Sequence, residues 1–142
     1  MTTNPQVRTE FLVGEKAQFS KIITEADIDA IAEITGDYNP VHVNEAFAQK
    51  TRFKGRIAHG VLSVGLISAV LGTKLPGPGA IYLSQTLDFL FPVRGGDEIT
   101  AEVEVIKWKP EKKIIHLETR CFNQNEREVL KGKAVLLIEA ID

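Results

Sequence analysis

A stretch without a charged side chain, between Arg56 and Lys74, constrains what this 142-residue chain can fold into. Leucine, valine and isoleucine recur throughout the stretch, so a helix built from it has no polar side to turn towards water. A membrane-spanning helix needs about 20 mostly apolar residues, and this stretch is shorter and is interrupted by glycine and serine. We therefore predict a helix, beginning near Gly60, that is buried inside protein and does not cross a membrane.

The sequence after this helix alternates between apolar and polar residues, which is typical of half-buried strands. One strand is predicted over Ile81–Phe91, ending at Pro92, and three more are predicted over 99–109, 115–121 and 129–141. The last three are joined by connections of hairpin length, which favours an antiparallel meander. Such a sheet can curve around the apolar helix and bury all its sides, which gives an α+β domain.

Short helices are predicted before the apolar stretch. Thr24 and Asp27 resemble a helix N-cap and its acidic first turn, and Gly36 supplies the stop. An asparagine before Pro40 disfavours continued helix, so the chain turns there. Asn44 can cap a second short helix, which leads into a basic loop.

Composition narrows the possible partners and settings. The net charge of -2 leaves no basic excess to attract nucleic acid. The only cysteine, Cys121, cannot form an intramolecular disulfide, and a reducing, cytoplasmic setting fits it best. The segment Met1–Arg8 is polar and lacks the apolar core of a secretory signal. Because no linker or repeat is visible, we predict one domain over residues 1–142.

Histidines and one aspartate are the candidates for chemistry. Asp37 and His42 lie on either side of an Asn-Pro turn that can bring both side chains to one pocket, where they could hold a water and divide its proton transfers. Alternatively, Asp37 caps the turn and His42 packs nearby. His59 would complete a two-histidine, one-carboxylate metal set, but no further ligands cluster with it, and we predict no metal site. His116 lies in a predicted strand and is read as structural.

The motif around this pair resembles the signature of the MaoC-like hydratases, particularly the (R)-specific enoyl-CoA hydratases. The resemblance rests on the eight residues 35–42, TGDYNPVH. It is supported by AHG at 58–60, by Ser68 within the apolar helix and by GGD at 95–97. It covers most of the chain, from about residue 19 to residue 137.

The resemblance implies a fold, a reaction and a set of site residues. The fold is the hot-dog fold, a sheet wrapped around a central helix. The reaction is hydration of trans-2-enoyl-CoA to (R)-3-hydroxyacyl-CoA, or the reverse dehydration. Asp37 and His42 correspond to the catalytic dyad, Asn39 helps to order it, and the backbone N–H of Gly60 faces the thioester oxygen. Ser68 would line the acyl pocket or order the dyad.

The resemblance also concerns cofactors and partners. It implies that no metal or redox cofactor is needed, that the substrate is an acyl-CoA or acyl-carrier thioester, and that the protein is a homodimer joined sheet edge to sheet edge. One departure is Asn44, where many relatives have aspartate; as a helix cap it should leave the reaction little affected. The role of Gly60 also has physical support, because a helix N-terminus offers free N–H groups to developing negative charge.

Two other functions remain open at this stage. A hot-dog acyl-CoA thioesterase would share the fold, since fold does not decide function. A noncatalytic acyl-thioester-binding module would keep an apolar groove but would not need both Asp37 and His42. The basic loop could meet the phosphates of CoA or of a carrier arm; its charged residues are Lys50, Arg52, Lys54 and Arg56. Acyl chain length, the carrier and the pathway, such as fatty-acid turnover or polyester supply, are left open.

Overall fold

The computed structural model describes residues 5–139, which contain six strands and four helices. In chain order these are β1 (Lys16–Ile22), α1 (Glu25–Thr35), α2 (Pro40–Val43), α3 (Glu45–Gln49), α4 (Gly60–Thr73), β2 (Ala80–Gln85), β3 (Asp88–Phe89), β4 (Glu98–Lys109), β5 (Ile114–Phe122) and β6 (Glu128–Ile138). The predicted end of the last strand at Ile141 and the first four residues of the predicted polar N-terminal segment lie outside the described residues.

The strands form one antiparallel sheet in the order β1-β4-β5-β6-β2, and β3 also pairs with β6. The meander is confirmed for β4, β5 and β6. Strand β2, whose place in the sheet was not predicted, pairs with β6. The segment 92–97 carries the chain back across the end of the sheet, where the carbonyl of Val93 accepts the Ala58 N–H at 2.7 Å and the carbonyl of Asp97 accepts the Ile23 N–H at 2.8 Å. The alternating pattern predicts β4, β5 and β6 but does not show which strand lies beside β2.

Helix α4 lies in the curve of this sheet, as the uncharged stretch predicts. Ile67, Val70 and Leu71 are almost completely buried and belong to the same core cluster as the inward residues of β4 and β5. The prediction that all sides of the helix are buried is wrong. One face is exposed, and it consists of Val61, Gly65, Ser68 and Gly72. None of the helices in residues 5–139 has the length and hydropathy that a bilayer crossing requires.

The caps of the short helices follow the sequence closely. Thr24 Oγ1 accepts the Asp27 N–H at 3.0 Å while Asp27 Oδ2 accepts the Thr24 N–H, which forms a capping box. Gly36 ends α1 in the left-handed region, with φ of 80°. Asn44 Oδ1 accepts the Phe47 N–H at 3.0 Å and so caps α3. These predictions are confirmed. They could be made from the sequence because capping depends only on neighbouring residues.

Two strand assignments differ from the prediction. Strand β1 was not predicted, although residues 16–22 alternate between exposed and half-buried positions, because the alternation includes charged residues on both faces. The single strand expected over Ile81–Phe91 is divided into β2 and the two-residue β3. At the break, the Thr86 N–H donates to the Lys133 carbonyl at 2.9 Å, and Thr86 Oγ1 accepts the Lys133 N–H at 3.0 Å. Thr86 therefore crosses very close to β6.

Gly132 makes this crossing possible, and we expect Gly132→Ala to lower the free energy of unfolding by about 3 kcal/mol, at the upper end of overpacking effects. A Cβ built at Gly132 would lie 2.7 Å from the carbonyl carbon of Thr86 and would overlap its oxygen, and backbone cannot rotate away as a side chain can. Urea denaturation followed by circular dichroism measures the change. The exposed neighbour Lys131→Ala is the matched control, with an expected change within about 0.5 kcal/mol. Equal stability of the two variants would contradict the prediction.

Candidate active site

Asp37 lies in the loop between α1 and α2, directly after the left-handed Gly36. Its backbone N–H donates to Thr35 Oγ1 at 3.2 Å, and its Oδ1 accepts the Asn39 N–H at 3.2 Å. The residue is exposed and lines a cavity of about 440 Å³. The carboxylate is therefore held by a local turn at the wall of the cavity.

His42 is carried by the one-turn helix α2. Asn39 Oδ1 caps this helix by accepting the Val41 N–H at 3.2 Å, so the turn predicted at Pro40 is the start of a helix. His42 Nδ1 lies 2.8 Å from the carbonyl oxygen of Ile57. Because a carbonyl only accepts, the neutral form of the ring carries its proton on Nδ1 and has a free lone pair on Nε2. The Asn39 side chain thus contacts the backbone of the helix that carries His42.

His59 joins these two residues in the folded protein. Its side chain is buried, its ring stacks on that of His42 with 3.9 Å between centroids, and its Nε2 lies 2.9 Å from the backbone oxygen of Asp37. One nitrogen of each ring and one carboxylate oxygen of Asp37 all lie within 4.8 Å of one another. The structure therefore brings Asp37 and His42 together at one place. The contacts of His59 with both residues could not be recognised from the sequence.

The same three side chains also have the composition of a metal site. The two imidazole rings are stacked, with their planes 26° apart and 3.9 Å between the centroids. A shared ion needs lone pairs that converge at about 2.1 Å from each nitrogen. His42 Nδ1 and His59 Nε2 are also engaged with backbone oxygens. Only one nitrogen of each ring is therefore free of a backbone contact.

Gly60 lies at the wall of the same cavity as the first residue of α4. The first N–H groups of a helix have no partner within it, and the helix dipole makes this end favourable for negative charge. A Cβ built at Gly60 would lie 2.5 Å from Cε1 of Phe89, so this position has room for glycine only unless the ring moves. The remaining wall is mostly apolar and includes Phe91 and Val129. The cavity is therefore lined by polar groups and by apolar side chains.

The serine of α4 that lines the cavity is not the one that the sequence predicted. Ser68 lies on the exposed face of the helix and is not among the residues that line the cavity. Ser63 lines it instead and is buried. The two positions are five residues apart, which places them on different sides of a helix with 3.6 residues per turn. The helix register would have revealed this once the direction of the cavity was known.

The basic loop is only partly available to a phosphate group. Arg52 is exposed and lines the cavity, whereas the guanidinium of Arg56 is engaged elsewhere. It contacts Glu25 at 2.9 Å and Asp29 at 2.6 Å, and its Nε–H donates to the His42 carbonyl at 2.5 Å. Arg56 therefore ties α2 to α1, and its predicted contact with a substrate phosphate has no support.

Other titratable residues lie apart from the cavity. Burial of the Cys121 thiol raises its pKa to about 12, so this cysteine is not reactive. His116 lies on β5, where partial burial and then the charges of Lys109 and Lys107 lower its pKa. Neither residue lines the cavity.

Comparison with known proteins identifies the class that this fold and cavity define. A family model described as the MaoC like domain matches residues 8–126. The chain therefore belongs to the MaoC-like family, and the resemblance seen in the sequence is confirmed.

Curated relatives are similar over most of their length. An (R)-specific enoyl-CoA hydratase of Rhodospirillum rubrum is 51% identical over 127 residues, which are 89% of this chain and 88% of the relative. A 3-hydroxybutyryl-CoA dehydratase of Methylorubrum extorquens is 48% identical over 126 residues, which are 89% of this chain and 80% of the relative. The predicted enzyme class, a hydro-lyase, is confirmed by these names.

A solved structure agrees with the fold. The (R)-hydratase from Aeromonas caviae superposes with a TM-score of 0.88 at 44% identity, covering 92% of this chain and 99% of that chain. The protein thus has the hot-dog fold that the resemblance implied.

Proposed function

We propose that this protein adds water to trans-2-enoyl-CoA to give (R)-3-hydroxyacyl-CoA, and catalyses the reverse dehydration. The observation that carries the proposal is the meeting of three groups at one cavity: the carboxylate of Asp37, the unprotonated Nε2 of His42 and the helix N-terminus at Gly60. An apolar wall that includes Phe89 is available for the acyl chain. The names of the relatives supply the substrate class.

Asp37 and His42 divide the proton transfers in this proposal. His42 Nε2 removes a proton from the water as its oxygen bonds to C3, and the C2=C3 electron pair moves into the thioester as an enolate. The proton taken up by His42 passes to Asp37, which helps to hold the water and delivers this proton to C2, so that the thioester carbonyl is restored. Both side chains thereby return to their starting states, and their roles can be shared or reversed.

The backbone N–H of Gly60 stabilises the enolate in this scheme. Negative charge develops on the thioester oxygen during addition, and a fixed donor aimed at that oxygen lowers the barrier most where water is excluded. Gly60 is the residue that allows this approach, since it has no side chain between its N–H and the cavity. No metal or redox cofactor takes part, so treatment with a chelator should leave the rate unchanged.

Crotonyl-CoA distinguishes the proposed reaction from its alternatives. A hydratase removes the absorbance of the conjugated enoyl group without releasing thiol, and chiral analysis of the product tests the (R) assignment. A thioesterase releases free thiol and leaves the enoyl group intact. Binding without either change would identify a noncatalytic module. Comparison of crotonyl-CoA with crotonyl-carrier protein then identifies the preferred carrier, for which the exposed Arg52 offers a phosphate contact.

A homodimer is the assembly that the exposed surfaces support. Strand β2 is an edge of the sheet, and its side chains Ile81 and Leu83 are 46% and 53% exposed. Val64, which is half-buried beside the exposed face of α4, lines a second cavity together with Leu83. A second copy joined along β2 would cover both surfaces. Ser68 lies on this face of α4, so its predicted role at a site depends on that second copy.

We expect Leu83→Lys to convert the dimer into a monomer, because the new charge would be buried at the joined edges. Sedimentation equilibrium measures the mass. Leu12→Lys is the matched control, since Leu12 is 73% exposed and lies outside the joined β2 edges. A wild-type protein with the mass of one chain would contradict the proposed dimer.

For the compartment, the single buried cysteine agrees with a cytoplasmic location, which we also propose.

A further inference from the structure

We propose that His59 is a positioning residue, which holds Asp37 and His42 in a fixed relation to the N–H of Gly60. This inference rests on the proposed hydration reaction and assigns a residue that the reaction scheme itself does not use. It follows from the contacts of His59, which involve the backbone of one catalytic group, the ring of the other and the helix that carries the third.

The loop that carries Asp37 has few other connections to the protein. The hydrogen bonds of Asp37 to Thr35 and Asn39 span two residues each, so they shape the turn without attaching it to the core. The bond from His59 Nε2 to the Asp37 carbonyl, at 2.9 Å, spans 22 residues. Because His59 is only 2% exposed, this bond attaches the loop to the buried part of the protein.

The ring of His42 is held from two directions by the same short segment. The Ile57 carbonyl fixes the proton on Nδ1, and the His59 ring covers one face of the imidazole. His59 is also the N-cap residue of α4, so Gly60 follows it directly. Any shift of the segment 57–60 therefore moves the base, the acid and the oxyanion donor together, and their relative positions are conserved.

The hydrogen bonds define the protonation state of His59. The Asp37 carbonyl only accepts, so the His59 proton lies on Nε2. Nδ1 is buried and has no hydrogen-bond partner among the described residues. A proton there would be a buried donor without an acceptor, which is more costly than a bare lone pair. The tautomer with its proton on Nε2 is therefore the one that fits these contacts, and in this form His59 donates to the loop that carries Asp37.

Two substitutions separate the two contacts. His59→Phe keeps an aromatic ring against His42 and removes the donor to Asp37, whereas His59→Gln keeps a donor and removes the ring. We expect each variant to lose about 100-fold in kcat for crotonyl-CoA, the size of effect that a displacement of about 1 Å produces, with KM changed less than about threefold. A residue that only fills space would lose stability in these variants while kcat per folded molecule stayed the same.

The Asp37→Asn background provides a test that does not depend on stability. If His59 acts through Asp37, His59→Phe should lower the residual rate of Asp37→Asn less than about threefold, because the positioned group is already missing. Full additivity of the two losses would overturn the inference. Thermal melts establish that each variant is folded at the assay temperature.

Nitrogen NMR of histidine-labelled wild-type protein tests the inference without any substrate. We expect the ring nitrogens of His59 to appear as a protonated Nε2 and an unprotonated Nδ1, assigned by comparison with His59→Gln. A proton on Nδ1 would overturn the inference. Failure of the wild type to hydrate crotonyl-CoA would instead overturn the proposed function. An active wild type with an unchanged kcat in His59→Phe would overturn the role of His59 alone.

Discussion

Asp37→Asn and His42→Ala should each lower the rate of crotonyl-CoA hydration by about 10²–10⁴-fold, the range that positioned acid–base groups contribute. Asparagine keeps the shape of Asp37 but cannot carry a proton to C2. Alanine removes the only unprotonated imidazole nitrogen that His42 offers to the water. The decrease in enoyl absorbance measures the rate, and circular dichroism tests whether each variant is folded.

The control for this result is a histidine of the same chain that lies outside the cavity. His116 is part of β5 and does not line the cavity, so His116→Ala should retain the wild-type rate within about twofold, in keeping with a surface substitution. A folded Asp37→Asn or His42→Ala variant with more than about a tenth of the wild-type rate would contradict the assigned acid–base roles.

Gly60→Ala has the second largest expected effect, a loss of about 10²–10³-fold in kcat, which is typical of losing one oxyanion donor. The new methyl group would lie 2.5 Å from Cε1 of Phe89 and would stand between the thioester and the backbone N–H. Stopped-flow kinetics with crotonyl-CoA measure the effect. Unfolding is not expected, since Gly60 is exposed at the helix start.

Phe89→Ala separates the two consequences of this methyl group. The ring of Phe89 is 56% exposed and its removal relieves the overlap, but the methyl group still blocks the approach to the N–H. We therefore expect the double variant of Gly60→Ala and Phe89→Ala to stay as impaired as Gly60→Ala alone. Recovery to the rate of Phe89→Ala would mean that a displaced ring, and not a lost donor, caused the defect.

Local sequence signals predicted much of this fold. The capping box at Thr24, the left-handed Gly36 and the uncharged stretch that forms α4 each depend on neighbouring residues, so they could be read directly. The position of β2 beside β6 could not, because strand pairing depends on residues far apart in the chain. The break at Thr86 was hidden for the same reason, since its cause is the close crossing over Gly132.

The candidate site was predictable to a similar degree. Asp37 and His42 are close in sequence and flank a turn, so their convergence could be anticipated from the chain alone. The contacts of His59 with both residues, and the contact of Arg56 with the His42 backbone, connect separate segments. They become visible only when α1, α2 and α4 are packed together.

The two kinds of wall around the cavity come from different parts of the chain. Asp37, His42 and the helix N-terminus lie within residues 37–60, whereas much of the apolar wall comes from residues 89–93 and from Val129 and Leu130. Substitutions in the second set can alter the shape offered to an acyl chain without touching the first. Over evolutionary time, such a protein can therefore change which substrate it prefers while inheriting its chemistry unaltered.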